Sequence, residues 1–547
     1  MSPTSLAGVP AVGGVRYAPV IRPGRPAAPD VTEPELAVDV RPAEAARFTA
    51  VAAAVADRLR ARAAHTTGAA SEVLAATAGL AQDRAWLGAV EERITAGTPA
   101  IRAVSEAVEG FVQMFTQLGG VMAERVTDLR DIRDRVIAEL SGRPEPGVPV
   151  PDVPSILCAA DLAPADTADL DPALIVGLAT TFGGPTGHTA IIARQLGIPC
   201  VVAVAGLDDV PAGAMVLLDG TTGTVTVDPD PGRAAAEAAT AQRHAAAVRA
   251  WKGPGATSDG HAVAMLANVS DGAAARTARE TPAEGVGLFR TELCFLNRDT
   301  EPTVDEQVQS YREVLDAFAG RKVVFRTLDA GSDKPLKFVG HPDEANPALG
   351  VRGIRIAEGN PGLLERQLSA IATAGGELVM APMIATAAEA QQFASRARSY
   401  GLVPGAMIEV PAAALLADKI LDHVDFLSIG TNDLAQYAMA ADRMSAELST
   451  LADPWQPAVL ALVAMAARAA AAVGKPVGVC GEAAADPLLA CVLVGLGVTS
   501  LSSAAAALPG VGVKLSQVTL AQCQAAADAA LVTTTAAEAR VAAMAHL

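Results

Sequence analysis

From about residue 256 to its end the chain alternates short apolar runs with helical stretches. Eight runs have strand length: Val263–Val269, Gly285–Arg290, Val323–Thr327, Leu378–Met383, Ala406–Val410, Phe426–Gly430, Val477–Cys480 and Val498–Ser502. A helical stretch follows each, and the last helix is expected to start near Pro509. Strand-then-helix repeated eight times over roughly 290 residues predicts a (β/α)₈ barrel, with parallel strands inside and helices outside. This pattern excludes an all-helical or all-β fold for that half.

The other half reads differently. Residues 1–25 are turn-rich and extended, with one or two strands expected. Pro23–Pro34 is a proline-dense connection. From Glu35 to Leu140 apolar residues recur at three and four, as in Phe48, Val51, Val55 and Leu59. Gly68, Gly97-Thr-Pro99 and Gly119-Gly120 punctuate this stretch, which predicts about four helices. Ser141–Pro154, with five prolines, is a linker. Short apolar runs then return at Ser155–Cys158, Ala173–Val176, Cys200–Ala203, Met215–Leu218 and Thr224–Val227. The expected fold is multidomain α/β. A small α/β domain (1–25 and 150–228) carries an inserted four-helix domain (30–143). A linker helix and a Gly-Pro-Gly hinge (229–255) lead to the barrel (256–547).

Charge narrows the partners. A net charge of −18 argues against nucleic acid and anionic membranes. An acidic chain that binds an anion must gather its arginines locally. Six scattered cysteines without a C-x-x-C pair, and no basic-then-apolar start, point to a reducing cytoplasm. The alanine-rich run Ala458–Val473 contains Arg468 and is too short for a membrane span.

In a barrel, chemistry collects at the C-terminal ends of the strands. The polar residues fall there: Arg290-Thr-Glu292, Arg326 to Asp329, Glu409, Thr431-Asn432-Asp433 and Cys480-Gly-Glu482. Arg290, Arg326 and Arg352 suit bidentate capture of phosphate and carboxylate. Glu409 and Asp433 are hard oxygen ligands, the sparse protein set that Mg²⁺ uses beside substrate oxygens; each alone is also an ordinary structural carboxylate. Asp329 fits either as a support for Arg326 or as an outer neighbour of the metal. Cys480 is either a proton donor or plain core.

The second candidate centre is Phe182-Gly-Gly-Pro-Thr-Gly-His188-Thr-Ala-Ile-Ile-Ala-Arg194. A glycine-rich loop runs into a helix, where backbone N–H groups and partial positive charge favour an anion. A neutral His188 there can take up a phosphoryl group; the bland reading is a surface histidine after a turn.

Seven stretches, in order, carry a family resemblance. They are Gly183–Ala190, Gly285–Glu292, Arg326–Lys334, Asn346–Arg352, Met407–Ala412, Ser428–Asp433 and Cys480–Glu482. The chain resembles enzyme I of the phosphoenolpyruvate:sugar phosphotransferase system, the phosphoenolpyruvate–protein phosphotransferases. The resemblance implies that His188 is phosphorylated and that Arg290, Arg326, Asn432, Asp433 and Arg443 bind phosphoenolpyruvate. It implies Mg²⁺ on Glu409 and Asp433, and Cys480 as the donor that protonates the enolate carbon. It also implies that the helical insert docks the carrier HPr and that the chain forms a homodimer through the barrel. The expected activity is transfer from phosphoenolpyruvate to His188, then to a histidine of HPr, with release of pyruvate. The alternatives are an enzyme like pyruvate phosphate dikinase or phosphoenolpyruvate synthase, and a non-catalytic phosphoenolpyruvate sensor. Two positions depart from the family: Pro185 replaces a usual basic residue and Gly187 a usual Ser or Thr. A basic neighbour there would stabilise a phosphoryl group by about 1.5–3 kcal/mol.

Overall fold

The computed structural model describes residues 3–547 except 25–33, 66–68, 119–124, 144, 146, 163–169, 297, 332–333, 340–342 and 361. The expected breaks at Gly68 and Gly119-Gly120, and most of Pro23–Pro34, lie outside the described residues. The chain divides into two compact units, Met1–Ala245 and Ala246–Leu547.

The first unit holds an eight-stranded sheet. Three strands come before the insert: β1 (Thr4–Ala7), β2 (Val9–Val12) and β3 (Val15–Ile21). Five follow it: β4 (Ser155–Ala159), β5 (Ile175–Thr180), β6 (Cys200–Val202), β7 (Met215–Asp219) and β8 (Thr224–Val227). Their order is β1-β8-β7-β3-β4-β5-β6-β2. The central run β3-β4-β5-β6 is parallel, and β4, β5 and β6 are almost wholly buried, so these three are apolar runs rather than alternating ones. That explains why β5 extends from Ile175 to Thr180, beyond the run expected at Ala173–Val176. The start of the chain supplies three strands, not one or two, because Gly8 and Gly13-Gly14 break it into short pieces.

Between β3 and β4 lie α1 (Arg41–His65), α2 (Ala69–Leu80), α3 (Arg84–Ala96), α4 (Ala100–Leu118) and α5 (Val126–Leu140). These are five helices among the described residues, against about four expected; Asp83, capping α3, separates it from α2 without a glycine. The insert has its own core of Phe48, Val55, Trp86, Val90, Ile94, Val104 and Ile132. Phe48 and Trp86 meet edge to face at 5.8 Å. Among the described residues this part has two further α-helices, α6 (His188–Leu196) and α7 (Pro231–Ala250), the latter running past the division between the units.

The second unit is a closed barrel of eight parallel strands: β9 (Ala264–Val269), β10 (Gly285–Arg290), β11 (Val323–Arg326), β12 (Leu378–Ala381), β13 (Val403–Ile408), β14 (Phe426–Ile429), β15 (Val477–Val479) and β16 (Ser500–Ser503). Leu288, Val324, Met380, Met407, Phe426 and Cys480 pack inside it. Helices around it bury a larger core that includes Phe289, Tyr311 and Phe325 in mutual ring contact. The end of the chain forms three helices, Leu508–Leu515, Leu520–Leu531 and Ala536–Met544, where one was expected. Thr519 and Thr535 each build a capping box that restarts the helix. No helix among the described residues is long and apolar enough to cross a membrane.

Candidate active site

The strand ends converge. Arg290, Arg326, Asp329, Glu409, Asn432, Asp433, Arg443 and Cys480 line one cavity of about 530 Å³ at the C-terminal rim of the barrel. Lys334, Glu292 and Glu482 share it. Arg352 stands behind it rather than on its wall, buried and joined to two of the carboxylates.

Charge is packed densely. Arg326 is almost fully buried between Glu292, which accepts from Nη2, and Asp329, 3.0 Å from Nη1. Arg352 donates to both oxygens of Asp329 at 3.2 Å and to Asp433 Oδ1 at 3.4 Å. Arg443 lies 3.8 Å from Asp433 Oδ2. Arg290 closes β10 and is exposed at the rim. Three polar atoms of this cluster are buried without a hydrogen-bond partner: Glu292 Oε2, Arg326 Nε and Thr431 Oγ1. Orphaned groups in a charged cavity mark a site arranged for a polar ligand.

The carboxylates fit a divalent cation. Glu409 is buried, and its Oε1 accepts from the Met383 N–H at 2.6 Å, which fixes the side chain. Burial, reinforced by the nearby Asp329 and Asp433, pushes its carboxyl up to about 8, although Arg326 opposes this. A cation between Glu409 and Asp433 would remove that penalty. No group of three or more His, Cys, Asp and Glu side chains forms a cation site among the described residues. Two protein carboxylates are the sparse set that leaves coordination positions for water and substrate.

Cys480 directly follows β15 and packs inside the barrel, 3% exposed. Its thiol lies 3.5 Å from the Ile429 carbonyl, and burial pushes it up to about 11. It therefore carries its proton at neutral pH, as a donor must. The following residue has to be glycine: a Cβ on Gly481 would sit 2.0 Å from Thr431 Oγ1. This close approach brings the ends of β14 and β15 together.

The histidine centre lies in the first unit. His188 is the first residue of α6, with Gly187 as its N-cap. Gly183, at φ +99°, turns the loop into a conformation that glycine adopts freely. Arg194 Nη2 donates to the carbonyls of Pro185 and Ala11, pinning the loop to the sheet edge. The N-terminal turn of α6 offers unpaired N–H groups and partial positive charge for an anion on the imidazole. Beside it stands Asp128 of α5, 7% exposed, with Oδ1 unpartnered. Burial pushes the Asp128 carboxyl up to about 6, and His188 is the strongest opposing influence.

Sequence reasoning passed over Lys334, Tyr437 and Asp128. Lys334 ends the motif that begins at Arg326, so its signal was present. Tyr437 sits one turn beyond Asp433 on the same helix, where its hydroxyl accepts from Arg352 at 3.2 Å. Asp128 had no signal, because an acidic residue in the first turn of a helix normally faces solvent.

Known proteins converge on the same chemistry. Residues 245–520 match the phosphoenolpyruvate-binding domain of the PEP-utilising enzymes. Residues 151–223 match their mobile domain and residues 7–125 their N-terminal domain. A phosphoenolpyruvate-protein phosphotransferase of Streptomyces coelicolor is 53% identical over 502 residues, covering 90% of each chain. One of Haloferax volcanii is 41% identical over 472 residues, 82% of each chain. One of Bacillus subtilis is 38% identical over 442 residues, 77% of this chain and 78% of that one. With identity sustained across both units and a charged cavity at the barrel rim, this chain belongs to the PEP-utilising enzymes, in their phosphoenolpyruvate-protein phosphotransferase family.

Proposed function

We propose that this phosphotransferase moves the phosphoryl group of phosphoenolpyruvate to His188 and then to a histidine of the carrier HPr, releasing pyruvate. It would thereby perform the first step of the sugar phosphotransferase system. The observation that carries the reading is the single rim cavity in which arginines, carboxylates and a buried thiol meet.

Each group has a task that follows from its chemistry. Arg290, Arg326, Lys334 and Arg443 neutralise phosphate and carboxylate, and Asn432 offers an amide donor. Glu409 and Asp433 would hold the divalent cation the family requires, with Mg²⁺ the best match to two hard oxygen ligands. When bound, the cation supplies Lewis-acid stabilisation of negative charge on the phosphate and the departing enolate. Arg352 and Glu292 hold Asp329, Asp433 and Arg326 in register, so that little reorganisation is needed as charge moves. His188 attacks phosphorus in line and Cys480 delivers a proton to the enolate carbon. This requires the imidazole of His188 to reach the phosphate held in the rim cavity. The helical insert serves as the HPr platform, and the barrel as the homodimer contact.

Labelled phosphoenolpyruvate with Mg²⁺ tests the reading. Acid-labile label should appear on the protein, vanish in His188→Ala, and pass to added HPr. Label that survives His188→Ala would refute it, and label that never passes to HPr would reduce the protein to a sensor.

A further inference from the structure

One polar pair inside the barrel has no part in the assignments above. Asn268 lies on β9, in an otherwise apolar strand. Its Nδ2 donates to the Cys480 carbonyl at 3.0 Å, and its Oδ1 accepts from Ser502 Oγ of β16 at 2.6 Å. The orientation of the amide is dictated, because a carbonyl can only accept. The NH₂ end must therefore face Cys480, and the oxygen end takes the Ser502 proton. The Ala267 carbonyl, 3.3 Å from Ser502 Oγ, is the weaker competitor for that proton.

The position of this pair matters because the ladder stops there. Pairing of β15 with β16 ends at Val479 and Leu501. The Cys480 N–H still donates to Ile429 at 3.0 Å, but its carbonyl has left the ladder. Asn268 reaches past β16 from the next strand and takes that carbonyl. Cys480 is thus held on one side by β14 and on the other by β9. Without Asn268 the Cys480 carbonyl would lose its partner, and the 480–481 peptide would be restrained only from beyond Gly481, where the Glu482 N–H donates to Asn432 Oδ1 at 3.0 Å. A turn there re-aims the thiol.

We propose that Asn268, itself held by Ser502, is a positioning residue that keeps the Cys480 thiol aimed at the enolate carbon. The proposal rests on the reading of Cys480 as the proton donor. In that step the S–H bond breaks and its proton goes to C3 of enolpyruvate. The C=C electron pair forms the new C–H bond while the enolate oxygen becomes the ketone carbonyl. The thiolate left behind recovers a proton from solvent.

The test separates protonation from phosphorylation. The full-length protein and its Asn268→Ser, Ser502→Ala and Cys480→Ala variants are compared with Mg²⁺. One assay follows labelling of the protein by phosphoenolpyruvate in rapid quench. The other follows exchange of pyruvate methyl protons with D₂O by NMR, which runs the protonation step backwards. Asn268→Ser should slow exchange by about ten-fold or more while slowing labelling far less, because misaiming costs mainly the step that uses the aimed group. Ser502→Ala, which removes only a hydroxyl, should shift the same ratio in the same direction, and it decides the matter if Asn268→Ser fails to fold. Equal losses in both assays, or no loss in exchange, would overturn the positioning role. Unchanged exchange in Cys480→Ala would instead overturn the reading of Cys480 itself.

Discussion

Arg326 and Glu292 form an ion pair inside the barrel rim, and both side chains are less than a tenth exposed. Removing one partner of such a buried pair costs about 3–5 kcal/mol. Glu292→Gln keeps a hydrogen bond, so its cost falls at or below that lower end. The expected outcome is a lower melting temperature and a KM for phosphoenolpyruvate raised about ten-fold, or about 1.4 kcal/mol. Calorimetry and steady-state kinetics check it; a variant unchanged in both would show that the pair holds nothing in place.

Glu409 should couple cation binding to proton release. With its carboxyl pushed up to about 8 by burial and by Asp329 and Asp433, it is mostly protonated at pH 7. A divalent cation must displace that proton, so affinity rises with pH up to about 8 and levels off above it. Titration calorimetry at pH 7 in buffers of different ionisation enthalpy should find close to one proton released per cation. Glu409→Gln should abolish both the release and the binding. A cation that binds wild type at pH 7 without releasing protons would contradict the assignment.

Cys480 should show no ionisation limb in the working pH range. Burial pushes its thiol up to about 11, so the rate of pyruvate formation should not fall below about pH 10 through loss of this proton. Cys480→Ala should slow pyruvate formation by orders of magnitude. Buried as it is, the native thiol should also react slowly with iodoacetamide. Rapid alkylation would mean a thiol more open than the structure shows.

Asp128 should make the first unit less stable as pH rises. Its carboxyl stands at about 6 in the folded chain, against 3.8 for an ordinary aspartate, chiefly through burial. Between those values the folded state holds a proton that the unfolded chain has released. Stability therefore declines as pH rises from about 4 to 6 and is level above that, for a total of about 3 kcal/mol. Asp128→Asn should flatten this slope and melt higher at pH 7.5. Thermal unfolding of the full chain at several pH values is the check, and an unchanged slope would rule the effect out.

Most of the barrel was legible because its strands are apolar runs with helices of regular period between them. The fifth strand shows the limit. It begins at Val403, not at the expected Ala406, and takes in Pro404 and Gly405, residue types that ordinarily mark turns. In the folded chain Pro404 loses no acceptor role, since its carbonyl takes the Asp425 N–H at 2.8 Å. Gly405 is needed because a Cβ there would strike the Phe426 ring at 2.3 Å. The rim residues Arg290, Arg326, Glu409 and Asp433 were legible because each stands where a strand ends. Asn268, the one polar residue of β9, and Ser502, one of three serines in β16, were not. Their meaning depends on which strand closes against which, and a single strand does not contain that.

The helical insert leaves and rejoins the sheet at one place. Ile21 pairs with Leu157 on adjacent parallel strands, and the Gly24 N–H meets the Gly147 carbonyl at 3.0 Å just beyond them. The two stalks of this cassette are therefore stapled together at the root. A different bundle of helices grafted between the same two stalks would leave every strand in its place. Such an exchange would leave the sheet under His188 as it is and would remove from the histidine's surroundings only what the insert lends it, the Asp128 carboxyl.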